Sequence, residues 1–265
     1  MGIRGFSSNL FGWQERNLRD GKPNDLETVL RGCAESGLDA VEVDPTTQVL
    51  KLLKVYDLKV SSAYVGLPLH DLYSALQVDE KVLPLASRLA EAGGTDLLIN
   101  ADPIGEWTNV QLKSEADIQR QGENLSRIAE KVSSLGIRIS MHNHAANHHN
   151  SIGDLRSVTE YAAANVGLCV DTGWAHTSGC DPLEWVKAYP NRIYALHLRN
   201  QQGSVPTEDL LAGEIEMPQL IHALQEISYI GWLTLELWHP QETLVKRTMQ
   251  EDVKLSIDYL KRHMK

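Results

Sequence analysis

Short runs with apolar residues on every second position alternate along this chain with longer stretches in which they recur every three or four. The first spacing is that of a β-strand, whose side chains point to alternate faces. The second is that of an amphipathic helix. IRGFSSN (3–9), DAVEV (39–43), KVSSAYV (59–65), TDLLINA (95–101), RISMHNH (138–144), VGLCVDT (166–172), IYALHLR (193–199) and WLTLELW (232–238) read as eight strands. Helices are predicted after them near 25–37, 47–56, 79–93, 115–135, 153–164, 182–189, 217–228 and 249–263. ESGLDAVEV, EAGGTDLLI and SLGIRIS each close a helix on glycine before entering a strand. Eight such units predict an α/β protein, a single (β/α)8 TIM barrel with residues 1–265 as one domain. No Gly-rich phosphate loop follows the first strand, which argues against an open doubly wound sheet.

In a barrel strand the helix-facing positions are aliphatic and the alternate positions face the interior. Strand 8 sends Leu233, Leu235 and Leu237 outward, leaving Thr234, Glu236 and Trp238 inside. Strand 6 sends Leu168 and Val170 outward, leaving Gly167, Cys169 and Asp171. Strand 7 leaves Ala195, His197 and Arg199 inside, and strand 5 leaves Ser140, His142 and His144. Strand 2 sends Val41 and Val43 outward, leaving Ala40 and Glu42. The deep interior positions are small. Those at the C-terminal ends of the strands, where barrel active sites lie, are Glu42, His142, Asp171, His197 and Glu236.

Composition narrows the reading. The net charge of −10 argues against a nucleic-acid partner, which basic surface would have to hold. No run of 18 apolar residues predicts a membrane span. The N-terminal MGIRGFSSNLFGW lacks the apolar core of a secretory signal, so a cytoplasmic location is expected. Cys33, Cys169 and Cys180 form neither a disulfide framework nor a Cys-x-x-Cys motif.

Two imidazoles and two carboxylates, His142, Asp171, His197 and Glu236, arrive at one mouth from four consecutive strands. The set suits one divalent ion, with Mn²⁺ the first choice and Co²⁺, Fe²⁺, Zn²⁺ or Mg²⁺ as alternatives. Such an ion would polarise a substrate carbonyl and stabilise the enediolate formed when the neighbouring carbon loses a proton. Glu236 can serve as both ligand and base. His144, one step further out, reads as a catalytic acid or base, or as the group orienting a ligand. Trp174 can stack on a sugar face or anchor its loop. Glu42, His176 and Arg199 are further substrate-binding candidates, with an ion pair the alternative for Glu42 and Arg199, in the latter case with an acid such as Asp171. In MHNHAANHHN (141–150), parity turns Met141 and Asn143 to the helix layer, while His148 and His149 read as a polar loop.

SMHNH, VDTGWAHTSGCDP, RIYALHLRN and LAGEIEMPQLIHAL…GWLTLELW, in this order and spacing, resemble the xylose isomerase-like superfamily of sugar isomerases and epimerases, which includes inosose dehydratase and endonuclease IV. The resemblance implies one catalytic metal held from strands 5 to 8, with Asp171, His197 and Glu236 on ligand positions. Many members carry a glutamate on strand 5, where this chain has His142, and the usual D-x-x-H pair becomes Asp171 with Trp174.

The expected activity is a metal-dependent sugar or keto-sugar isomerase or epimerase. The alternative is a lyase on the same scaffold, removing water or a glycoside from an inosose or 3-keto sugar. An abasic-site endonuclease conflicts with the charge, and a non-catalytic binding barrel would hold no metal. The stretches NQQGSVPTED and HPQETLVK after strands 7 and 8 lack a phosphate-binding turn, so the expected partner is an unphosphorylated sugar, keto-sugar or cyclitol. The surface helices are compatible with a homo-oligomer, and 200–212 reads as a lid.

Overall fold

The computed structural model describes residues 2–145 and 147–264. Eight parallel strands close into a barrel: β1 (Gly5–Asn9), β2 (Ala40–Glu42), β3 (Lys59–Leu67), β4 (Asp96–Ala101), β5 (Arg138–His142), β6 (Val166–Asp171), β7 (Ile193–Leu198) and β8 (Trp232–Leu235). Each strand lies beside its sequence neighbours. The seam is the β1–β8 pair, where Gly5 to Ser8 face Trp232 to Leu235 in register.

The aliphatic parity set becomes the layer between sheet and helices. Ile139, Met141, Leu168, Val170, Leu196, Leu198, Leu233 and Leu235 are all buried there. The helices are α1 (Phe11–Arg19), α2 (Leu26–Glu35), α3 (Thr47–Val55), α4 (Val78–Lys81), α5 (Leu83–Glu91), α6 (Glu115–Val132), α7 (His148–Arg156), α8 (Thr172–Thr177), α9 (Pro182–Ala188), α10 (Met217–Glu226) and α11 (Met249–His263). Side-chain caps set several starts: Asp25 on α2, and reciprocal Ser114–Asp117 and Thr248–Glu251 boxes on α6 and α11.

Several sequence expectations change. The ladders stop early, so Glu236 and Trp238 lie beyond β8, Arg199 beyond β7, and Asn143 and His144 beyond β5. The helix expected over 79–93 is two pieces, because Pro84 opens α5 and cannot continue α4. His148 and His149 are not in a loop. They open α7, capped by the Asn147 side chain on the Asn150 amide. Ala146 in the same window lies outside the described residues.

Asn143 is not a helix-layer residue. Its side chain accepts from the Asp171 amide at 2.8 Å and donates to the Asp171 carbonyl at 3.0 Å, extending the β5–β6 pairing by one step. The stretch 200–212 is pinned rather than free. It folds into a small hairpin (Gln201–Gln202 with Val205–Pro206), and Glu208, Asp209 and Leu210 are buried. Arg247 pairs with both Glu208 and Asp209.

Besides α8, which opens directly on Asp171, two further elements went unpredicted. α1 follows β1 directly and docks on the end of β8, where a Cβ at Gly12 would overlap the Leu237 carbonyl oxygen. A second hairpin (Ile104–Glu106 with Asn109–Gln111) follows β4 and carries Trp107 at its turn.

Candidate active site

His142 and Asp171 are the last residues of β5 and β6, His197 sits one residue inside the end of β7, and Glu236 follows β8. The barrel stagger brings them level, with Asp171 opposite His197 across the β6–β7 ladder. One ligand atom from each lies within 4.8 Å of the others. His142 Nε2 is 3.6 Å from Asp171 Oδ2 and 3.9 Å from Glu236 Oε2, and His197 Nδ1 is 3.0 Å from Glu236 Oε2.

The other polar atom of each group is already engaged. His142 Nδ1 faces Asn100 Oδ1 at 3.4 Å, and His197 Nε2 faces Glu42 Oε2 at 3.1 Å. With those ring nitrogens protonated, Nε2 of His142 and Nδ1 of His197 become the lone-pair donors. Asp171 Oδ1 accepts from the Trp174 amide at 2.6 Å and from Arg199 Nε at 3.1 Å. Glu236 Oε1 accepts from Asn9 Nδ2 at 2.6 Å. What remains is His142 Nε2, Asp171 Oδ2, His197 Nδ1 and Glu236 Oε2, all buried and all without a hydrogen-bond partner. Four orphaned atoms at one point are costly in a protein interior. A single cation satisfies all four, and two imidazoles with two carboxylates are a suitable donor set for a divalent transition ion.

Electrostatics point the same way. Burial works against charging His142, yet Asp171 and Glu236 outweigh it and hold the ring above its usual range. Burial likewise opposes charge on His197, and Cys169, Glu42 and Glu236 pull it well above. Burial raises Asp171 despite Arg199 beside it. Glu236 falls well below the carboxylate range because His197, Asp171 and His142 overcome its burial. The cluster draws positive charge to its centre.

Above the cluster opens a cavity of about 570 Å³. Glu236 is the one residue of the four that lines it; the lining also includes Asn9, Glu42, Tyr64, His144, Trp174 and Arg199. His144 is wedged between Trp107 and Trp174, with centroids 4.8 and 4.2 Å away. Burial and the neighbouring His142 lower its pKa to about 3, so the ring is neutral. Arg199 lies under Trp174 at 5.0 Å, in a space that exists because residue 173 is glycine, where a Cβ would overlap the Arg199 side chain.

The structure thus brings His142, His144, Asp171, Trp174, His197, Arg199, Glu236 and Glu42 to one mouth. In Glu42, Oε2 accepts from both Ser62 and His197, so it reaches the cluster through His197. His176 is elsewhere. It faces away along α8, pairs with Glu214 at 2.9 Å and lines a separate surface cleft. Sequence reasoning missed Asn9, Tyr64, Asn100 and Trp107. Asn9 had a signal, since it shares the parity of Ser7, which pairs with the inward Thr234.

A family model described as xylose isomerase-like TIM barrel matches residues 30–263. An inosose dehydratase of Geobacillus kaustophilus is 25% identical over 273 residues, 90% of this chain and 88% of that protein. An inosose dehydratase of Lacticaseibacillus casei is 27% identical over 137 residues, 44% of this chain, and the match spans about half (46%) of its length. A crystal structure of the D-allulose 3-epimerase of Methylomonas sp. in complex with D-allulose has the same fold, with TM-score 0.73 at 17% identity over 99% of this chain and 98% of that one.

Proposed function

The chain belongs to the xylose isomerase-like TIM-barrel family, and from that premise we propose a divalent-metal-dependent isomerase or epimerase acting on an unphosphorylated sugar, keto-sugar or cyclitol. The observation that carries this reading is the exposure of Glu236 alone among four converging, partnerless ligands. An ion held by His142, Asp171, His197 and Glu236, Mn²⁺ by preference, supplies Lewis acidity toward the substrate carbonyl when bound.

The chain's own groups do the rest. Glu236 takes the proton from the carbon next to the carbonyl; returning it to the former carbonyl carbon gives isomerisation, while epimerisation needs His144 to reprotonate the first carbon from the opposite face. Asn9 fixes the plane of that carboxylate through Oε1. Neutral His144 holds a substrate oxygen and carries its proton. Trp174 covers a sugar face. Among the described residues Arg199 is the one Lys or Arg lining the cavity; Asp171 Oδ1 holds its Nε, while Nη2 has no hydrogen-bond partner, so this guanidinium is the cation available to a substrate oxygen. Glu42 holds His197 in its ligating tautomer. His176 has no place in this scheme.

A lyase is the second reading, favoured by His142. With a histidine on β5, a single ligand carboxylate reaches the cavity, so proton exchange is confined to one face. One base suffices for elimination: the electron pair left by the proton forms a C=C bond and expels hydroxide, which leaves as water. Similarity to inosose dehydratases supports it. The test is NMR in D₂O of Mn²⁺-loaded protein with free ketoses, a keto-cyclitol and 3-keto glucosides. Deuterium next to the carbonyl in an isomeric product supports the isomerase. A product short of one water selects the lyase. Neither deuterium uptake nor a new product from any of these compounds overturns both.

A further inference from the structure

Building on the proposed sugar chemistry at Glu236, we propose that the outer half of the same cavity is a subsite for an aromatic aglycone, so the substrate is an aryl glycoside rather than a free sugar. The cavity, about 570 Å³, is in the size class that engulfs drug-sized ligands. A pyranose with its carbonyl at the ligand cluster would occupy the floor, among Asn9, His144, Arg199 and Glu236.

The outer wall has a different chemistry. It is made by Phe11 at the start of α1, Leu26 at the start of α2, Val43 just past β2, and Trp238 beyond β8. Phe11 is 52% exposed, with its ring 6.2 Å from Trp238 and tilted 47° to it. It is one of only two phenylalanines in the chain. The position is enforced from below by the close approach at Gly12. Apolar surface left in water beside a polar site marks a place that a ligand covers.

The ligand on this wall is not a second sugar. Gln14, Asp44 and the Trp238 indole N–H are the polar groups on this side, and Asp44 is engaged by Arg88 through two bonds of 2.8 Å. A second ring of hydroxyls would meet leucine, valine and phenylalanine with fewer partners than it has hydroxyls, which is costly. A planar apolar ring meets none of these costs and stacks on Phe11 and Trp238.

The test uses Mn²⁺-loaded full-length protein and three 3-keto glucosides, with methyl, phenyl and glucosyl aglycones. Deuterium exchange next to the carbonyl is read by NMR, and binding of the unoxidised methyl, phenyl and glucosyl glucosides by calorimetry. The phenyl compound is expected to exceed the methyl one in both by about tenfold. In Phe11→Ala and Leu26→Ser the phenyl-to-methyl ratio falls toward one. Equal behaviour of phenyl and methyl, or preference for glucosyl, overturns the aglycone subsite. Exchange absent from all three with the phenyl preference kept in calorimetry overturns the proposed chemistry and leaves the subsite standing.

Discussion

Two buried ionic clusters flank β5, and they are built on opposite principles. Behind the strand, Lys113 Nζ donates to Asp154 Oδ1 at 2.5 Å and to Gln121 Oε1 at 3.0 Å. Gln121 Nε2 donates to Asp154 and to Ser157, both at 2.9 Å, and Asn150 ties the Lys113 and Gln111 backbones together. None of these side-chain atoms lacks a partner. In front of the strand, His142, Asp171, His197 and Glu236 each have one atom held and one left open. The first cluster is closed and pins the Trp107 hairpin to α6 and α7. The second is closed only when something enters. Burial and charge are common to both, so neither identifies a functional site; unsatisfied convergence does.

The largest effects separate the clusters by what breaks. Glu236→Gln at saturating Mn²⁺ should lower kcat by about 10²–10⁴-fold while leaving the circular dichroism spectrum intact, the usual worth of a general base. Asp154→Ala should do the reverse. It leaves a buried ammonium unpaired and costs about 3–5 kcal/mol in urea unfolding, while the metal stoichiometry of the folded fraction is unchanged. Pairing Lys113→Met with Asp154→Leu should recover much of that loss, and a double variant as unstable as the single one would contradict the structural reading.

His239 gives a third reference point. Burial and Arg16 lower its pKa to about 4, while its Nε2–H donates to the Glu208 carbonyl at 2.8 Å and Nδ1 accepts from Arg16. Above pH 6.5 the ring is neutral folded or unfolded. As the pH falls from 6.5 through 4, the unfolded chain takes up a proton that the folded one refuses. Stability should therefore drop by roughly 3 kcal/mol across that window, and His239→Gln should flatten the slope of urea midpoint against pH. Smallest is the metal effect. Mn²⁺ at about 100 times its Kd should add about 2.7 kcal/mol of stability. His142→Ala should abolish the response, whereas Asp154→Ala should keep it.

Which parts were legible follows from the range of the interactions. Parity along single strands located His142, Asp171, His197 and Glu236, because the placement of each side chain depends only on its own strand and on closure of the barrel. α1 was invisible because no side chain caps it at Leu10. α8 was hidden because its cap is Asp171 itself, which reads as the end of a strand. His148 and His149 read as loop because the polar first turn of α7 carries no apolar stripe. Asn9, Asn100 and Glu42 act through partners on other strands, and only the assembled register pairs them.

The bond from Asn9 to Glu236 joins residues 227 positions apart across the seam. A ribosome delivers β8 long after β1, and until it does, Asn9 has no carboxylate to hold and the ion would have only three ligands. On the proposed function, closing the seam between β1 and β8 is therefore what completes the site, because the carboxylate and the amide that orients it meet only there.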